Sequence, residues 1–432
     1  MERQAMERQA FSITAGELAA RGKENIPPEM KSREHLLYSS PATLAFHSPG
    51  AQGFGVKRAA LSVPGSVELL VSPGCCGRNT AALSEPEYRD RFFYLLLDET
   101  DIVTGRHLPK IPQAVREIVD FLDEKPSAVM ICITCVDALM GTDMERICRK
   151  ASEEADVPVR PCYMYALTRD GVDPPMASVR RTVYSLLEKR KRKSSSANLL
   201  GEFTPFYGDT ELYEILGGIG VRRIREISRC RDFEEYLLMA EANFNLVLNP
   251  ECRLAAEDLR RRLGIPFIEI SRQYQIDKIG RQYELLGSAL GADILYEKYA
   301  AEAREAVGEF GRRHPGTVFA VGEWMNGDPF ELSLALLRYG HRVSEIFGTV
   351  TDRNFVYIRK IAGISPDTRI YSNLSPTMMD YDCSRLPADI TVGQDAGYYH
   401  PECPNVSWNS GEQPFGYSGL RHLLEECDEK LR

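Results

Sequence analysis

The sequence feature that most constrains the fold is a repeated alternation of short apolar runs with amphipathic stretches, beginning near residue 66. Residues 67–71 and 92–97 are short and rich in β-branched, leucine or aromatic side chains, a composition typical of strands. Residues 111–122 carry apolar side chains at helical spacing, and Ala128–Ile133 is almost wholly apolar, as in a parallel strand covered on both faces. This order predicts βαβ units and a parallel sheet.

The alternation restarts twice further along the chain. Predicted strands fall at residues 244–248, 267–270, 318–321, 342–347 and 390–392, with helices between them. Three consecutive blocks of this kind predict an α/β fold of three doubly wound, Rossmann-like domains, with parallel sheets around a central cleft. We expect ligands where the carboxyl ends of the strands face that cleft.

The predicted domain limits follow breaks in the pattern. The basic run at residues 189–193, followed by three serines, predicts the end of a helix and then a linker. The predicted parts are a mobile N-terminal arm at residues 1–40, a cluster-binding domain at 41–196, a second domain at 197–310, and a third at 311–432 that ends in a helix.

Composition excludes several classes of protein. The 432 residues carry a net charge of −9 at pH 7, which gives no electrostatic footprint for nucleic acid. No apolar run reaches the ~18 residues of a membrane-spanning helix, and the N-terminus lacks the apolar core of a secretory signal, so we expect a cytoplasmic protein. Neither G-x-G-x-x-G nor G-x-x-x-x-G-K-S/T occurs in a usable context, and we expect no ATP hydrolysis by this chain.

Two predicted strand ends carry thiols. Cys75 and Cys76 lie between glycines directly after one strand, and Cys135 follows another, with Cys132 inside that strand. Reduced thiols at two strand ends of one domain favour a shared metal site over a redox dithiol, which would need both cysteines at the start of one helix. One chain supplies too few thiolates for a four-cysteine cluster unless Cys132 or a non-thiol ligand joins, which suggests a cluster shared between two chains.

Most other thiols of the eleven are predicted to be structural, since cysteine is among the most buried residue types. The cysteines assigned to packing are Cys148, Cys162, Cys230, Cys252, Cys383 and Cys427.

Three segments carry a family resemblance. The turn at Gly74 and Cys75, residues 101–105 (DIVTG) and residues 134–143 (TCVDALMGTD) resemble the nitrogenase component 1 superfamily. That superfamily includes nitrogenase molybdenum–iron protein subunits, their cofactor-assembly scaffolds and nitrogenase-like reductases. The resemblance spans most of residues 41–432 and does not single out one member.

The resemblance implies a bridging iron–sulfur cluster at a subunit interface, of the 4Fe-4S type or a larger P-cluster-like type. Cys75 matches the second cluster cysteine of the family and Cys135 the third, while Cys76 is a close substitute for Cys75. The first cysteine would fall near residues 45–50, where the chain has no cysteine and His47 is the alternative ligand. A solvated His47 is the competing interpretation.

At the family's positions for a second metallocofactor, this chain differs from the family more than it does at the cluster positions. Where a nitrogenase α subunit has its cofactor cysteine, this chain has Arg222 and Arg223, two cations that would suit an anionic substrate or cofactor, although solvated arginines are the competing interpretation. The family's histidine position corresponds to about Val406, and His400 with Cys403 is an alternative cofactor-binding site. The resemblance therefore does not extend to a nitrogenase α subunit.

Three functions compete at this point. The first is an oxidoreductase: a subunit of a nitrogenase-like reductase, which takes electrons from an ATP-dependent, iron-protein-like reductase through the bridging cluster and passes them to a substrate or metallocofactor. The second is a metallocofactor-assembly scaffold of the same superfamily. The third is a binding protein without metal. The first two imply a homologous or identical second subunit, in a dimer or an α2β2-type tetramer.

Overall fold

The structure is a computed structural model. It describes residues 9–30, 41–46, 59–74, 90–133, 140–163, 175–409 and 411–432. Within these residues the α-helices are α1 (Ala15–Arg21), α2 (Pro41–Phe46), α3 (Glu99–Thr104), α4 (His107–Phe121), α5 (Met144–Ala155), α6 (Pro175–Val183), α7 (Glu211–Gly218), α8 (Phe233–Leu237), α9 (Arg253–Leu263), α10 (Ile276–Leu290), α11 (Glu297–Arg313), α12 (Pro329–Arg338), α13 (Phe355–Ala362), α14 (Gln394–Tyr399) and α15 (Gly416–Leu431).

The strands form three sheets. The strands are β1 (Ile13–Thr14), β2 (Ser66–Ser72), β3 (Phe92–Leu96), β4 (Ala128–Ile133), β5 (Val159–Tyr163), β6 (Lys193–Leu200), β7 (Arg223–Arg225), β8 (Ala242–Val247), β9 (Phe267–Glu269), β10 (Val318–Val321), β11 (Arg342–Phe347), β12 (Arg369–Tyr371), β13 (Ile390–Val392) and β14 (Asn405–Val406). We call β2–β5 the N-terminal sheet, β6–β9 the middle sheet, and β10–β14 with β1 the C-terminal sheet.

The N-terminal sheet has the order β3-β2-β4-β5, and all its neighbouring strands are parallel. Every residue of β2 is buried, since alternate side chains point to opposite faces and each face has its own core. Leu69 and Val71 pack into one apolar cluster and Leu70 into the other. The sequence pattern of an almost continuous apolar run follows from this double burial.

The middle sheet has the order β7-β6-β8-β9, again with parallel neighbours. Its Leu200 and Val247, with Tyr236 of α8, share an apolar cluster with Leu70 and Cys132 of the N-terminal sheet. The two sheets belong to one compact unit, formed by His47–Pro205 and Gly220–Ser271.

The C-terminal sheet lies in the other compact unit, formed by Met1–Phe46, Phe206–Ile219 and Arg272–Arg432. Its order is β1-β12-β11-β10-β13-β14, parallel throughout except for β1. The chain runs outward from β10 through β11 to β12 and then returns to β13 on the other side of β10. The strand order therefore reverses between β10 and β13, which is the switch point where doubly wound sheets bind ligands. The predicted α/β fold with parallel sheets is confirmed.

Residues 9–30, predicted to belong to a mobile arm, pack on the C-terminal sheet instead. Ile13 and Thr14 pair antiparallel with β12, and Ile13 and Leu18 are buried. Thr14 and Glu17 form a reciprocal capping box at the start of α1. A two-residue strand and a seven-residue helix are too short to produce a sustained periodic pattern, which explains why the sequence did not predict them.

The basic run at residues 189–193 neither ends a helix nor begins a linker. Helix α6 ends at Val183, and the three serines lie in β6, where Ser196 pairs with Arg223 of β7. The predicted domain limit after residue 196 therefore falls inside β6, and the limit after residue 310 falls inside α11. The three-domain division stays a prediction.

Across the described part of the chain, no helix combines the length and the apolar character needed to cross a membrane.

Candidate functional site

The first candidate site is the carboxyl end of the N-terminal sheet, where the inner strands β2 and β4 end. These two strands are parallel neighbours, and their register pairs Val71 with Ile133. Cys75 follows Val71 by four residues and Cys135 follows Ile133 by two. His47, Cys75, Cys76 and Cys135 themselves lie outside the described residues. The two chain segments that carry the predicted cluster cysteines thus start side by side at one sheet edge.

The described residues at this edge fix the turn after β2. Ser72 Oγ lies 3.0 Å from Tyr94 Oη, which donates to the carbonyl oxygen of Pro73 at 2.8 Å. Tyr94 and Leu96 of the edge strand β3 are 38% and 60% exposed. Exposed apolar side chains therefore lie beside the end of β2.

Residues 101–105, which carry part of the family resemblance, form a helix-to-helix turn. Asp98 caps α3 by accepting the N–H of Asp101 at 2.6 Å, and Gly105 ends the helix in the left-handed conformation. The buried Asp101 accepts a hydrogen bond from Lys110 at 2.6 Å, and this ammonium lowers the pKa of Asp101. The motif holds α3 against α4 and supplies no metal ligand of its own.

Four cysteines assigned to packing, Cys148, Cys162, Cys252 and Cys427, are buried. Cys162 pairs across β4 and β5 with Cys132, which the sequence left open as a ligand; both are fully buried and belong to an apolar cluster. Burial raises the pKa of Cys148 and of Cys252 to about 12, so both stay thiols at neutral pH. Cys427 is buried with a raised pKa as well. Cys383, in contrast, is exposed.

The two arginines predicted to bind a cofactor, Arg222 and Arg223, lie exposed where β7 begins. The backbone N–H of Arg222 donates to the carbonyl oxygen of Ser195 at 2.9 Å, beside the start of β6. This is the amino end of the middle sheet, whereas ligands of open α/β sheets bind at the carboxyl ends. The location differs from the expectation, and a cofactor contact of these arginines stays a prediction.

The alternative cofactor residues, His400 and Cys403, lie in a turn after α14. His400 is 3% exposed, and its Nε2 lies 2.7 Å from Glu345 Oε2 and 2.9 Å from Tyr381 Oη. Cys403 Sγ donates to the carbonyl oxygen of Ala388 at 3.3 Å. A metal at Nε2 of His400 would have to displace the buried contacts with Glu345 and Tyr381, so the packing opposes coordination through this atom.

A second candidate site, which the sequence did not predict, lies at the switch point of the C-terminal sheet. Glu323 follows β10 and Asp395 follows β13, and Asn373 after β12 bridges them. Asn373 Nδ2 donates to Asp395 Oδ2 at 2.6 Å and to Glu323 Oε1 at 3.1 Å. Glu323 Oε2 also accepts the N–H of Thr349, which follows β11, at 2.7 Å. We call Glu323, Asn373 and Asp395 the carboxylate clasp.

The clasp ties the tips of four neighbouring strands together. Asp395 Oδ2 accepts the N–H of Glu323 at 3.0 Å and Oδ1 that of Trp324 at 3.2 Å. Burial and the neighbouring carboxylate raise the pKa of Glu323 to about 7, and burial raises that of Asp395 to about 6. The signal in the sequence was an acidic residue one or two positions after a strand-ending glycine, which on its own is typical of a solvated loop.

A third buried carboxylate, also missed, anchors the C-terminal helix. Glu211 is 1% exposed and accepts the N–H groups of Tyr417 at 2.6 Å and Ser418 at 3.1 Å, in the first turn of α15. It also accepts the hydroxyl of Tyr283 at 2.7 Å. A Cβ on Gly416 would lie 1.9 Å from Glu211 Oε1, so only glycine fits there.

Comparisons with known proteins agree on one family. A family model described as nitrogenase component 1 type oxidoreductase matches residues 51–432. The chain is 23% identical to the nitrogenase iron-molybdenum cofactor biosynthesis protein NifE of Rhodobacter capsulatus, over 84% of this chain and 80% of the relative. It is 25% identical to NifE of Sinorhizobium fredii, over 90% and 83%.

A further sequence match is shorter, and a solved structure matches almost the whole chain. NifE of Nostoc sp. strain PCC 7120 is 27% identical over 56% of this chain, and the match spans about half of that relative, 52% of its length. A chain of the nitrogenase Cp1 structure at pH 6.5 has the same fold, with a TM-score of 0.70 at 16% identity, over 94% of this chain and 95% of that one. The chain belongs to the nitrogenase component 1 type oxidoreductase family.

Proposed function

We propose that this chain is a scaffold on which a metallocofactor is assembled, with an iron–sulfur cluster held by Cys75, Cys76 and Cys135 at the tips of β2 and β4. The observation that carries the proposal is the pairing of Val71 with Ile133, which starts both cysteine segments at one sheet edge. Thiolates are the ligands of iron–sulfur clusters, so the donor set fits the group. A bound cluster would supply one-electron transfer.

The surroundings support a cluster shared with a second subunit. Tyr94 and Leu96 place exposed apolar side chains beside the end of β2, and such patches are typical of protein interfaces. A homologous or identical chain that covers them would bring further thiolates to the same edge. The contacts of Tyr94 with Ser72 and Pro73 would fix the direction in which the Cys75 segment leaves β2.

The names of the relatives favour assembly over catalysis. Two relatives that this chain matches over most of their length are named for the biosynthesis of the iron–molybdenum cofactor. The cofactor positions of this chain also differ from those that the resemblance implies for a nitrogenase α subunit. A scaffold must bind a metallocofactor and release it, which weaker or different ligands would favour.

The second candidate function is a reductase subunit that receives electrons from an ATP-dependent iron–sulfur reductase. The family description as an oxidoreductase supports it. Both functions use the cluster at Cys75, Cys76 and Cys135, and they differ in what happens afterwards.

The experiment is iron quantification and electron paramagnetic resonance on anaerobically purified chain, alone and co-expressed with a second subunit. We expect Cys135→Ala to lose iron and the cluster signal. Cys383→Ala, which removes an exposed thiol of the other unit, is the matched control and should keep both. Equal iron in the two variants would contradict the proposal.

A cofactor-transfer assay distinguishes the two candidate functions. A scaffold should pass its metallocofactor to an apo acceptor protein, with loss of metal from the donor. A reductase subunit should instead turn over a small substrate in the presence of ATP and a reductase, and keep its metal.

A further inference from the structure

The amino edge of the middle sheet carries an unusual density of positive charge. We call this set of ten side chains the basic edge: Lys189, Arg190, Lys191, Arg192, Lys193, Arg222, Arg223, Arg260, Arg261 and Arg262. They come from three separate stretches of the chain. All of them except Arg190, which is partly buried, are exposed, and none belongs to the predicted cluster site or to the carboxylate clasp.

Hydrogen bonds between these stretches and their neighbours hold them at one edge. Arg192 Nη1 donates to the carbonyl oxygen of Gly264 at 3.0 Å, two residues after Arg262. Arg262 Nη1 donates to the carbonyl oxygen of Leu187 at 2.9 Å, two residues before Lys189. The N–H of Arg222 donates to Ser195 O at 2.9 Å. The three stretches are therefore neighbours in space and form one surface.

The charge of this surface is only partly compensated. Lys193 pairs with Glu241, and Arg261 and Arg262 pair with Asp258. The other seven cations form no ion pair with any described residue. Four carboxylates lie in or pair with these stretches: Glu188, Glu241, Glu257 and Asp258. Ten cations and four carboxylates give the basic edge a net charge of +6. Because the whole chain has a net charge of −9, the rest of the chain carries −15.

We propose that the basic edge is a docking surface for a protein that presents a compact acidic patch. Arginine forks bind carboxylates in a bidentate manner, and steering between opposite charges speeds association. The backbone carbonyls of Gly264 and Leu187 hold Arg192 and Arg262 in place, which lowers the entropy lost when a partner binds. The inference stands independently of the cluster and of the scaffold function.

The surroundings of the basic edge argue against other polyanions. The rest of the chain has a net charge of −15, which opposes the binding of a long nucleic acid. Phe267, the aromatic residue at the edge, is only partly exposed and lies under Arg260, whose guanidinium carbon is 5.4 Å from the ring centroid, so it offers no open face for stacking bases. Among the described residues, none of the exposed large apolar side chains lies at this edge, so a lipid surface finds no insertion site there.

The test uses the full chain and a fluorescent oligo-glutamate peptide, with fluorescence anisotropy at about 50 mM salt to limit screening. We expect binding that weakens as salt is added and falls about tenfold or more in K189E/K191E and in R222E/R223E. The control K298E/R353E reverses the same number of charges at exposed sites of the other unit and should change the dissociation constant less than about twofold.

A short single-stranded RNA and vesicles containing phosphatidylserine are the competing probes. Tighter binding of either one than of the peptide, lost in the same variants, would overturn the choice of an acidic protein. Equal losses of peptide affinity in the control and in the basic-edge variants would show an effect of net charge alone and would contradict the proposed docking surface. Unchanged thermal unfolding midpoints of all variants exclude misfolding as the cause.

Discussion

At the scale of single residues, the carboxylate clasp makes the stability of the C-terminal sheet depend on pH. Glu323 and Asp395 are acids whose pKa is raised on folding, to about 7 and about 6. The folded chain therefore holds protons that the unfolded chain releases, between about pH 4 and pH 7. The two protonated carboxyl groups contribute to the free energy of unfolding. This contribution is fully present below the pKa values of the unfolded chain and is lost as the pH rises through the pKa values of the folded chain.

The prediction concerns the difference between the wild-type chain and Glu323→Gln. From pH 5 to pH 8 the wild-type free energy of unfolding should fall relative to that of the variant, by on the order of 1–3 kcal/mol. Urea denaturation at several pH values measures the difference, and titrating groups that do not interact with Glu323 cancel because they are common to both chains. A difference that does not change with pH would contradict the raised pKa.

Glu211 supports a second prediction at this scale. In Glu211→Ala the N–H groups of Tyr417 and Ser418 and the hydroxyl of Tyr283 lose their acceptor in a buried place. We expect a loss of about 2–4 kcal/mol in the free energy of unfolding, measured by denaturation. The control Glu214→Ala, exposed on the same helix, should cost less than about 1 kcal/mol, and equal effects would refute the anchoring role.

At the scale of secondary structure elements, the N-terminal segment is part of the fold. Leu18 of α1 is fully buried, so Leu18→Ala should cost about 2–4 kcal/mol. The exposed Glu24, changed to alanine, should alter stability by no more than about 0.5 kcal/mol. Thermal or chemical unfolding measures both. A mobile arm, as predicted from the sequence, would make the two substitutions equally silent.

The elements also show what the sequence can predict. Strands β2, β4, β10, β11 and β13 were predicted close to their observed bounds, because burial on one or two faces leaves an apolar pattern. Strands β1, β7, β12 and β14 have two or three residues and leave no such pattern, and their pairing depends on distant partners. The serines of β6 look like a linker, and only pairing with β7 and β8 makes them a strand.

The candidate sites also fall into those that the sequence predicts and those that only the fold reveals. Thiols after strand ends can be recognised because cysteine chemistry is specific, so the sequence predicts a site at Cys75 and Cys135, and that site stays a prediction. The carboxylate clasp could not be found, since it consists of common acidic residues and an asparagine brought together from three strand ends. The basic run at residues 189–193 was visible, but its union with Arg222, Arg223 and Arg260–Arg262 needed the fold.

At the scale of the whole molecule, the central claim is that neighbouring strands β2 and β4 hold iron through the cysteines that follow them. The family supports an iron–sulfur protein in general, and the register of Val71 with Ile133 supports this edge as the place. Partner binding would then belong to two surfaces: the apolar surface at Tyr94 and Leu96 for a second subunit, and the basic edge for an acidic protein.

The most direct measurement is anomalous diffraction at the iron absorption edge from crystals of anaerobically prepared protein. The account predicts an iron peak beyond the ends of β2 and β4, within bonding distance of the sulfurs of Cys135 and of Cys75 or Cys76. Iron bound elsewhere, or no iron peak in protein that was prepared with its partner subunit, would contradict it.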